Sequence, residues 1–272
     1  ETIGALAMTE PSGGRDLAGI KTTAKDMGDH YLVNGSKTFI TNGVYGDFIV
    51  TVVKTDPAAK SKGISLLVID LDSPGITKTK IDKLGWRSSD TAELSFDNVV
   101  VPSENLVGEE GKGFYYLMNG LQLERLCFMP SSIATMEFAI SESLSYMNER
   151  KAFGKSINKF QVLRHRIAQL SSEIEALKVF SYYCCNLYDK KIYDVKLCSM
   201  GKLLCTELHE KVSTQCLQFF GGNGFSEDYP MARMYRDCRV GTIGGGTSDI
   251  MRDIIAKIII DGKDYEAETS KV

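Results

Sequence analysis

The spacing of apolar residues divides the chain into two regions with different periods. Up to about residue 103, short apolar stretches alternate with turns, a pattern typical of β-strands. Residues 31–41 hold two apolar stretches around Asn34 and Gly35, and this pair predicts a hairpin because both residues tolerate the positive φ of a type I′ turn. Further strands are predicted at residues 48–53, 64–69, 77–81 and 92–101.

From Gly113 onward the apolar residues recur every three or four positions, which is the period of a helix packed in a bundle. Residues 194–218 predict one long helix, and residues 250–259 predict a last helix whose start Thr247 and Ser248 can cap. The helix with the clearest period carries Leu163, Ile167, Leu170, Ile174 and Leu177.

These two regions predict an α+β protein of two domains. We expect a small antiparallel β-barrel or sandwich over residues 1–107, followed by an antiparallel bundle of four or five helices over residues 108–272. The glycine-rich segment 108–113 joins them. With 272 residues, of which 43% are hydrophobic, the chain can build a core in each domain.

Composition and charge exclude several classes of protein. Lys+Arg 32 against Asp+Glu 35 gives a net charge of -3, so no nucleic-acid partner is expected. No apolar run approaches the roughly 20 residues that span a bilayer. The seven cysteines are irregularly spaced and predict free thiols in a reducing compartment such as the cytosol or the mitochondrial matrix. With no CxxC pair and three distant histidines, no metal site is expected.

Three polar segments that contain glycine are candidates for ligand binding: residues 8–16, 218–225 and 244–249. Backbone N–H groups in such segments can closely approach a phosphate or a flat ring. Glycines just before a helix also leave N–H groups free for an anion or a polarised oxygen. Taken alone, residues 8–16 are most simply an ordinary turn, and residues 244–249 are consistent with a helix cap. A helix stop at Gly221 explains one glycine of residues 218–225 but not three in four positions.

Glu124 is the most informative single residue. On a predicted helix over residues 114–128 it shares a face with Leu117, Leu121 and Phe128. A carboxylate on an apolar stripe loses hydration, which raises its pKa and prepares it to accept a proton as a general base. The alternative is an ion pair with a neighbouring helix. Arg125 points to a different face of the helix, so it need not neutralise Glu124.

Five segments in one order resemble the acyl-CoA dehydrogenase family, and the resemblance covers nearly the whole chain. They are residues 7–11, 32–43, 150–155, 218–224 and 235–248. Full-length members carry a further helical domain before the β domain. The resemblance therefore implies that this chain, which starts at Glu1, comprises the middle and C-terminal domains of such a protein.

The long-chain branch of the family is the most similar. Most members have a catalytic glutamate in a Tyr-Glu-Gly-Thr context, and Gly245 stands in its place here. In the long-chain and isovaleryl branches the base lies on an earlier helix in a Glu-Arg-Leu context, which matches residues 124–126. The resemblance thus implies that Glu124 removes the α proton of an acyl-CoA thioester while the β hydrogen leaves as hydride to N5 of FAD. The backbone N–H of Gly245 would stabilise the thioester oxygen.

The same resemblance assigns the remaining site residues. Arg125, Gly245 and Gly246 would meet the substrate, as would Arg15, which replaces a serine of the family motif. The residues implied to contact FAD are Leu6, Met8, Thr9, Phe39, Ile40, Thr41, Arg150, Gln161, Gln218, Gly221, Gly222, Thr247, Ser248 and Asp249.

Partners and pathway are also implied by the resemblance. The expected activity is oxidation of a long-chain acyl-CoA to the trans-2-enoyl-CoA in fatty acid β-oxidation, with electron-transfer flavoprotein as acceptor. A homotetramer, a dimer of dimers, is expected, located in the mitochondrial matrix of a eukaryote or the cytoplasm of a bacterium. The alternatives are a non-catalytic assembly or scaffold member of the fold, an acyl-CoA oxidase, and a dehydrogenase of short branched substrates like isovaleryl-CoA.

Overall fold

The computed structural model describes residues 1–14 and 16–265. The chain forms two compact units, a β unit over Glu1–Asn119 and a helical unit that begins at Gly120. Thus the α+β fold class predicted from the sequence is confirmed. None of the described helices combines the length and the apolar character needed to cross a bilayer.

The β unit is built on one seven-stranded sheet with the order β1-β4-β2-β3-β7-β6, in which β5 pairs with the other edge of β4. Most pairings are antiparallel, as predicted, but β4 pairs in parallel with both β1 and β2. The four strands predicted after residue 47 are all present. The strands are β1 Gly4–Ala7, β2 Thr23–Asp26, β3 His30–Thr41, β4 Phe48–Lys54, β5 Ile64–Asp70, β6 Ile76–Lys80 and β7 Thr91–Pro102.

The hairpin predicted at Asn34 and Gly35 is wrong, because β3 runs without a turn from His30 to Thr41. Gly35 instead lies at a shift in the register between β3 and β7. Its φ is 148°, and a Cβ there would lie 2.6 Å from the Cα of Thr22. The glycine therefore serves a β-bulge and a close backbone approach rather than a chain reversal.

Buried residues of alternate positions fill the core of the β unit, among them Val33, Ile49, Leu67 and Leu94. A smaller cluster joins Ile64 and Leu66 to Leu117 on the first turns of helix α1, Gly113–Glu149. The start of α1 therefore belongs to the β unit, which ends after Asn119 rather than after residue 107.

The helical unit contains the rest of α1 and four further α-helices. Its core lies along α3, where Cys205, Val212 and Cys216 are fully buried. The cysteines of the described residues are free thiols. The remaining elements are α2 Gln161–Asp189, α3 Val195–Phe220, α4 Pro230–Cys238 and α5 Ser248–Ile259, with a ribbon of β8 Lys151–Ala152 and β9 Lys155–Ser156 after α1.

Candidate active site

A glycine loop (residues 244–246) precedes α5 and meets the side of α1. Gly245 has φ +64° and Gly246 has φ +99°, values that L side chains rarely adopt. A Cβ built on Gly245 would lie 2.8 Å from the Phe128 ring and 3.3 Å from Oε1 of Glu124. The structure thus brings Glu124 and Gly245 together, and a side chain at position 245 would collide with Phe128 on α1.

Glu124 makes no ion pair within 4.0 Å in the part of the chain described here, so the alternative of a pair with a neighbouring helix finds no support. The residue is exposed, which differs from the expected burial in an apolar stripe. Nearby protein atoms still displace enough water to raise the pKa of its carboxyl, and the positive charges of Arg125 and Lys202 oppose that rise. A carboxylate that is both reachable and made more basic suits proton abstraction.

Arg125 lies against the glycine loop, with only 6% of its surface exposed. Its Nε donates a long hydrogen bond of 3.5 Å to the carbonyl oxygen of Gly245. Arg125 does not neutralise Glu124, since the pKa of that carboxyl is raised overall, but the charge of Arg125 opposes the rise. At neighbouring positions the two charges are close even when the side chains point apart.

Lys202 on α3 completes the cluster and was missed by the sequence reasoning. Its side chain is fully buried, and Nζ donates a 2.6 Å hydrogen bond to the carbonyl oxygen of Gly246. Nζ also lies 5.4 Å from the ring centroid of Phe128. Burial, together with the charge of Arg125, lowers the pKa of Lys202 to about 8. The signal was available, since Lys202 interrupts a row of apolar α3 residues at helical spacing, Val195, Cys198, Cys205 and Val212.

In the β unit, the segment with Met8 and Thr9 is joined to β3 by a 2.9 Å hydrogen bond from the Thr38 N–H to the Thr9 carbonyl. Phe39, next in sequence, has a positive φ of 59° and is 66% exposed. This conformation is rare for a bulky residue and turns the aromatic ring out of the sheet. The register of β3 against β7 shifts at the same point.

The other FAD residues implied in the β unit differ in how accessible they are. Leu6 and Thr41 are exposed, and Met8 and Thr9 are half-buried. Ile40 is only 2% exposed and packs in the core, so a ligand could meet it only through its backbone. Arg15 falls outside the described residues.

A buried ion pair fixes this region and was also missed. Lys37 is fully buried, and its Nζ lies 2.9 Å from Oε1 of Glu10 and 3.2 Å from the carbonyl of Met8. Glu10 further accepts hydrogen bonds from the backbone N–H groups of Lys21 at 2.6 Å and Thr22 at 2.9 Å. The residues on either side of Thr9 are therefore held against β3.

In the helical unit, Tyr146 links the end of α1 to the turn after α3. Its hydroxyl donates to the Phe220 carbonyl at 3.2 Å, its ring stacks on Phe220 at 4.2 Å, and its carbonyl accepts from the N–H of Arg150 at 2.9 Å. Arg150, Gly221 and Gly222 are thus exposed at the same end of the bundle. Gly221 stops α3 with φ +56°, as predicted.

Gln161, the first residue of α2, lines a cavity of about 470 Å³. Arg166 and Lys211 line it too, and Gln215 does so one helical turn before Gln218. Lys211 is already paired with Glu173 at 2.7 Å, so the amide groups and Arg166 are the set that suits an anionic or nucleotide ligand.

The family resemblance implies three FAD contacts at the start of α5, and these residues differ in exposure and in hydrogen bonding. Thr247 is the N-cap, and its hydroxyl accepts from the Ile250 N–H at 3.3 Å. Asp249 is exposed. The hydroxyl of Ser248 is buried and has no hydrogen-bond partner among the described residues. Such an orphaned group is unusual and indicates a missing partner.

Comparison with known proteins agrees with this geometry. Residues 5–99 match the model of the acyl-CoA dehydrogenase middle domain, and residues 111–260 match that of the C-terminal domain. The long-chain specific acyl-CoA dehydrogenase of Rattus norvegicus is 42% identical over 95% of this chain and 61% of its own length. The isovaleryl-CoA dehydrogenase of Oryza sativa is 40% identical over 94% of the chain and 63% of its own length.

Among solved structures, an acyl-CoA dehydrogenase from Geobacillus kaustophilus superposes with a TM-score of 0.93 at 44% identity. The match covers 95% of this chain and 69% of that one. Our chain spans about three fifths of the length of the curated relatives it matches, 61% in the rat protein. On the two domain matches and these identities, the chain belongs to the acyl-CoA dehydrogenase family.

Proposed function

We propose that this protein catalyses the FAD-dependent α,β-dehydrogenation of a long-chain acyl-CoA thioester to the trans-2-enoyl-CoA, as a step of fatty acid β-oxidation. The observation that supports this most is the position of Glu124 beside Gly245, 3.3 Å from where a Cβ would stand. A base on α1 and a bare glycine in the loop form the arrangement that the sequence shares with the long-chain and isovaleryl branches.

Members of the family are FAD-dependent flavoproteins, and the residues of each unit fit that group. In the helical unit, the buried Ser248 hydroxyl lacks a partner, and a Cβ on Gly221 or Gly222 would meet nothing within 4 Å. In the β unit, the exposed ring of Phe39 offers a flat apolar surface. FAD, when bound, accepts the β hydrogen with its electron pair, so that the thioester is oxidised and the flavin is reduced.

The chain itself supplies a base and stabilises charge. Glu124, made more basic by partial burial, takes the α proton. The negative charge that develops on the thioester oxygen needs donors, and the glycine loop offers backbone N–H groups for it. Within the described residues, neither Gly245 nor Gly246 has a partner for its N–H, whereas the Gly244 N–H donates to Val240 at 2.8 Å.

The main alternative is a dehydrogenase of short branched acyl-CoAs. It is supported by the identities to the two kinds of relative, 42% for the long-chain and 40% for the isovaleryl protein, which differ too little to decide. Gly245 carries no side chain, and the space where a Cβ would stand is bounded by Phe128 and Glu124, so it does not distinguish branched from straight chains. Electron-transfer flavoprotein as acceptor, a homotetramer, and a mitochondrial or bacterial cytoplasmic location belong to the same proposal.

Anaerobic titration of the FAD-loaded protein with straight and branched acyl-CoAs of graded length tests the function. We expect the visible flavin absorbance to bleach with long straight chains at the lowest concentration. Preferential bleaching by isovaleryl-CoA would replace the long-chain assignment with the branched one. A protein that binds acyl-CoA without any bleaching would contradict the dehydrogenase. Steady production of hydrogen peroxide in air would indicate an oxidase.

A further inference from the structure

The glycine loop has few internal constraints of its own. Two consecutive residues, Gly245 and Gly246, have positive φ and no side chains to pack. Glycine can populate many backbone conformations, so such a loop loses conformational freedom when its N–H groups must point at one place. Something outside the loop has to fix it.

Two cationic side chains hold carbonyl groups of the glycine loop. Arg125 donates to the carbonyl of Gly245 at 3.5 Å, and Lys202 donates to the carbonyl of Gly246 at 2.6 Å. The Lys202 bond is the shorter, and its donor is fully buried. A short charge-assisted bond of this kind holds a peptide group more firmly than a neutral one.

The charge balance also favours a developing anion. Arg125 and Lys202 contribute two positive charges, against one negative charge on Glu124, before any ligand binds. Once Glu124 has taken a proton, its charge no longer offsets the charges of Arg125 and Lys202. Glu207, the other carboxylate that acts on Lys202, is bound to Arg252 on α5 at 2.6 Å.

We propose that Lys202 is a positioning residue that anchors the Gly246 carbonyl at the end of the glycine loop, thereby restricts the loop so that the N–H groups of Gly245 and Gly246 meet the thioester oxygen, and stabilises the charge that forms there. This inference rests on the proposed dehydrogenation. Lys202 acts through the loop rather than by touching the substrate. Losing its proton removes the positive charge, so the rate should fall as pH rises past the lysine pKa of about 8.

The groups that share this pH dependence are known. On α1 they are Glu124 and Arg125, and on α3 Glu207. Burial raises the pKa of Glu124 from its ordinary value of 4.5 and lowers the pKa of Arg125 below its ordinary value. Comparison of the pH profiles of the wild type and Lys202→Met assigns the alkaline limb.

Lys202→Met tests the proposal, with Lys196→Met as the matched control. Lys196 lies on the same helix and is half-buried, and its replacement by Met removes the same charge. The first readout is the rate of anaerobic flavin bleaching by a long-chain acyl-CoA from pH 6 to pH 10, roughly the range around the pKa of a lysine that burial has lowered. We expect Lys202→Met to bleach about 10- to 1,000-fold more slowly with little change in half-saturating concentration, and to lack the alkaline fall.

The second readout needs no turnover. A β-ketoacyl-CoA ionises at its α carbon, and the ultraviolet absorbance of its enolate reports how well the bound protein stabilises the oxyanion. The wild type and Lys196→Met should ionise it at a lower pH than Lys202→Met does. Equal ionisation in all three proteins would overturn the proposal for Lys202 and leave the dehydrogenase intact.

Should Lys202→Met fail to retain FAD, the wild type alone decides. Its hold on the β-ketoacyl enolate must weaken as pH rises through about 8, since Lys202 then loses its charge. A flat enolate affinity across that range would refute the inference. A wild type that binds FAD yet is not bleached by any acyl-CoA would refute the proposed function instead.

Discussion

Each unit of this protein buries one lysine completely, and the two lysines are held in opposite ways. Lys37 in the β unit lies 2.9 Å from a carboxylate oxygen of Glu10. Lys202 in the helical unit has no carboxylate within 4.0 Å in the described part of the chain and donates to the carbonyl of Gly246. Both lysines fix a segment assigned to the site, since Lys37 also donates to Met8. One charge is balanced and the other is left in excess.

The two arrangements carry different energetic costs. Burial raises the pKa of Glu10, but its hydrogen bonds from Thr22, Lys21 and Lys37 outweigh that effect and hold the pKa below its usual range. Burial lowers the pKa of Lys37 as well, but the hydrogen bond and the charge of Glu10 oppose that shift. At 2.9 Å, with every Glu10 hydrogen bond favouring its carboxylate, we take the pair in the β unit as ionised and structural. At Lys202, burial lowers the pKa to about 8, which marks a charge held at some expense of stability. Ionisable groups with a pKa shifted in this way are typical of functional sites.

The largest expected effect is that of breaking the balanced pair. Glu10→Gln leaves Lys37 buried without its counter-charge, so the free energy of unfolding should fall by about 3–5 kcal/mol. Urea denaturation measures it. The double variant Glu10→Gln/Lys37→Met removes both charges and should be clearly more stable than Glu10→Gln alone. A double variant that loses the sum of the two single losses would show that the groups are not coupled.

The pH dependence of stability tests the lowered pKa of Lys202. Lys202 has a folded pKa of about 8 against an ordinary 10.5, so the unfolded chain binds more protons between these values. Stability contributed at this site therefore rises with pH from about 8 to 10.5, by about 3 kcal/mol in total. Urea midpoints of the wild type minus those of Lys202→Met measure the effect. A difference that stays constant over this range would contradict the lowered pKa.

A smaller effect is expected for the backbone that Lys202 holds. Gly245→Ala must adopt φ +64° and place a Cβ 2.8 Å from Phe128, so it should lose about 1–3 kcal/mol of stability. Gly221→Ala is the matched control, because its φ is +56° but the new Cβ meets nothing within 4 Å. It should lose about 1 kcal/mol from backbone strain alone. Equal losses would mean that Phe128 does not crowd the loop.

The smallest effect is expected at an exposed ion pair of the β unit. Lys78 lies 3.0 Å from Asp72, whose side chain is 88% exposed. Asp72→Asn should change the free energy of unfolding by less than about 1 kcal/mol, since water screens both charges. Urea denaturation of Asp72→Asn and Glu10→Gln under the same conditions compares the two losses of unfolding free energy. A loss as large as that of Glu10→Gln would mean that burial does not set the cost.

Local patterns in the sequence predicted much of the fold. The strands from β4 onward and the helices α2 and α3 follow from apolar periodicity, and the Thr247 cap from a polar residue before an apolar run. The sequence also placed Glu124 and Gly245 at the site from motifs. Each of these signals lies within a few residues of the feature it predicts.

What could not be predicted depends on contacts between distant residues. Asn34 and Gly35 have the chemistry of a hairpin turn, yet pairing of β3 with both β2 and β7 keeps the strand extended through them. Glu10 and Lys37 are 27 positions apart, and no local pattern pairs them. The excess positive charge near Glu124 likewise arises only when α3 packs beside α1 and the glycine loop.

Glu124→Gln tests whether Glu124 is the base that removes the α proton. Glu142→Gln is the matched control, since it lies on α1 about five turns further along the same face. In anaerobic stopped-flow with a long-chain acyl-CoA, we predict that Glu124→Gln keeps its bound FAD and bleaches about 100- to 10,000-fold more slowly than the wild type. Glu142→Gln should match the wild type. Full-rate bleaching in Glu124→Gln would show that Glu124 is not the base.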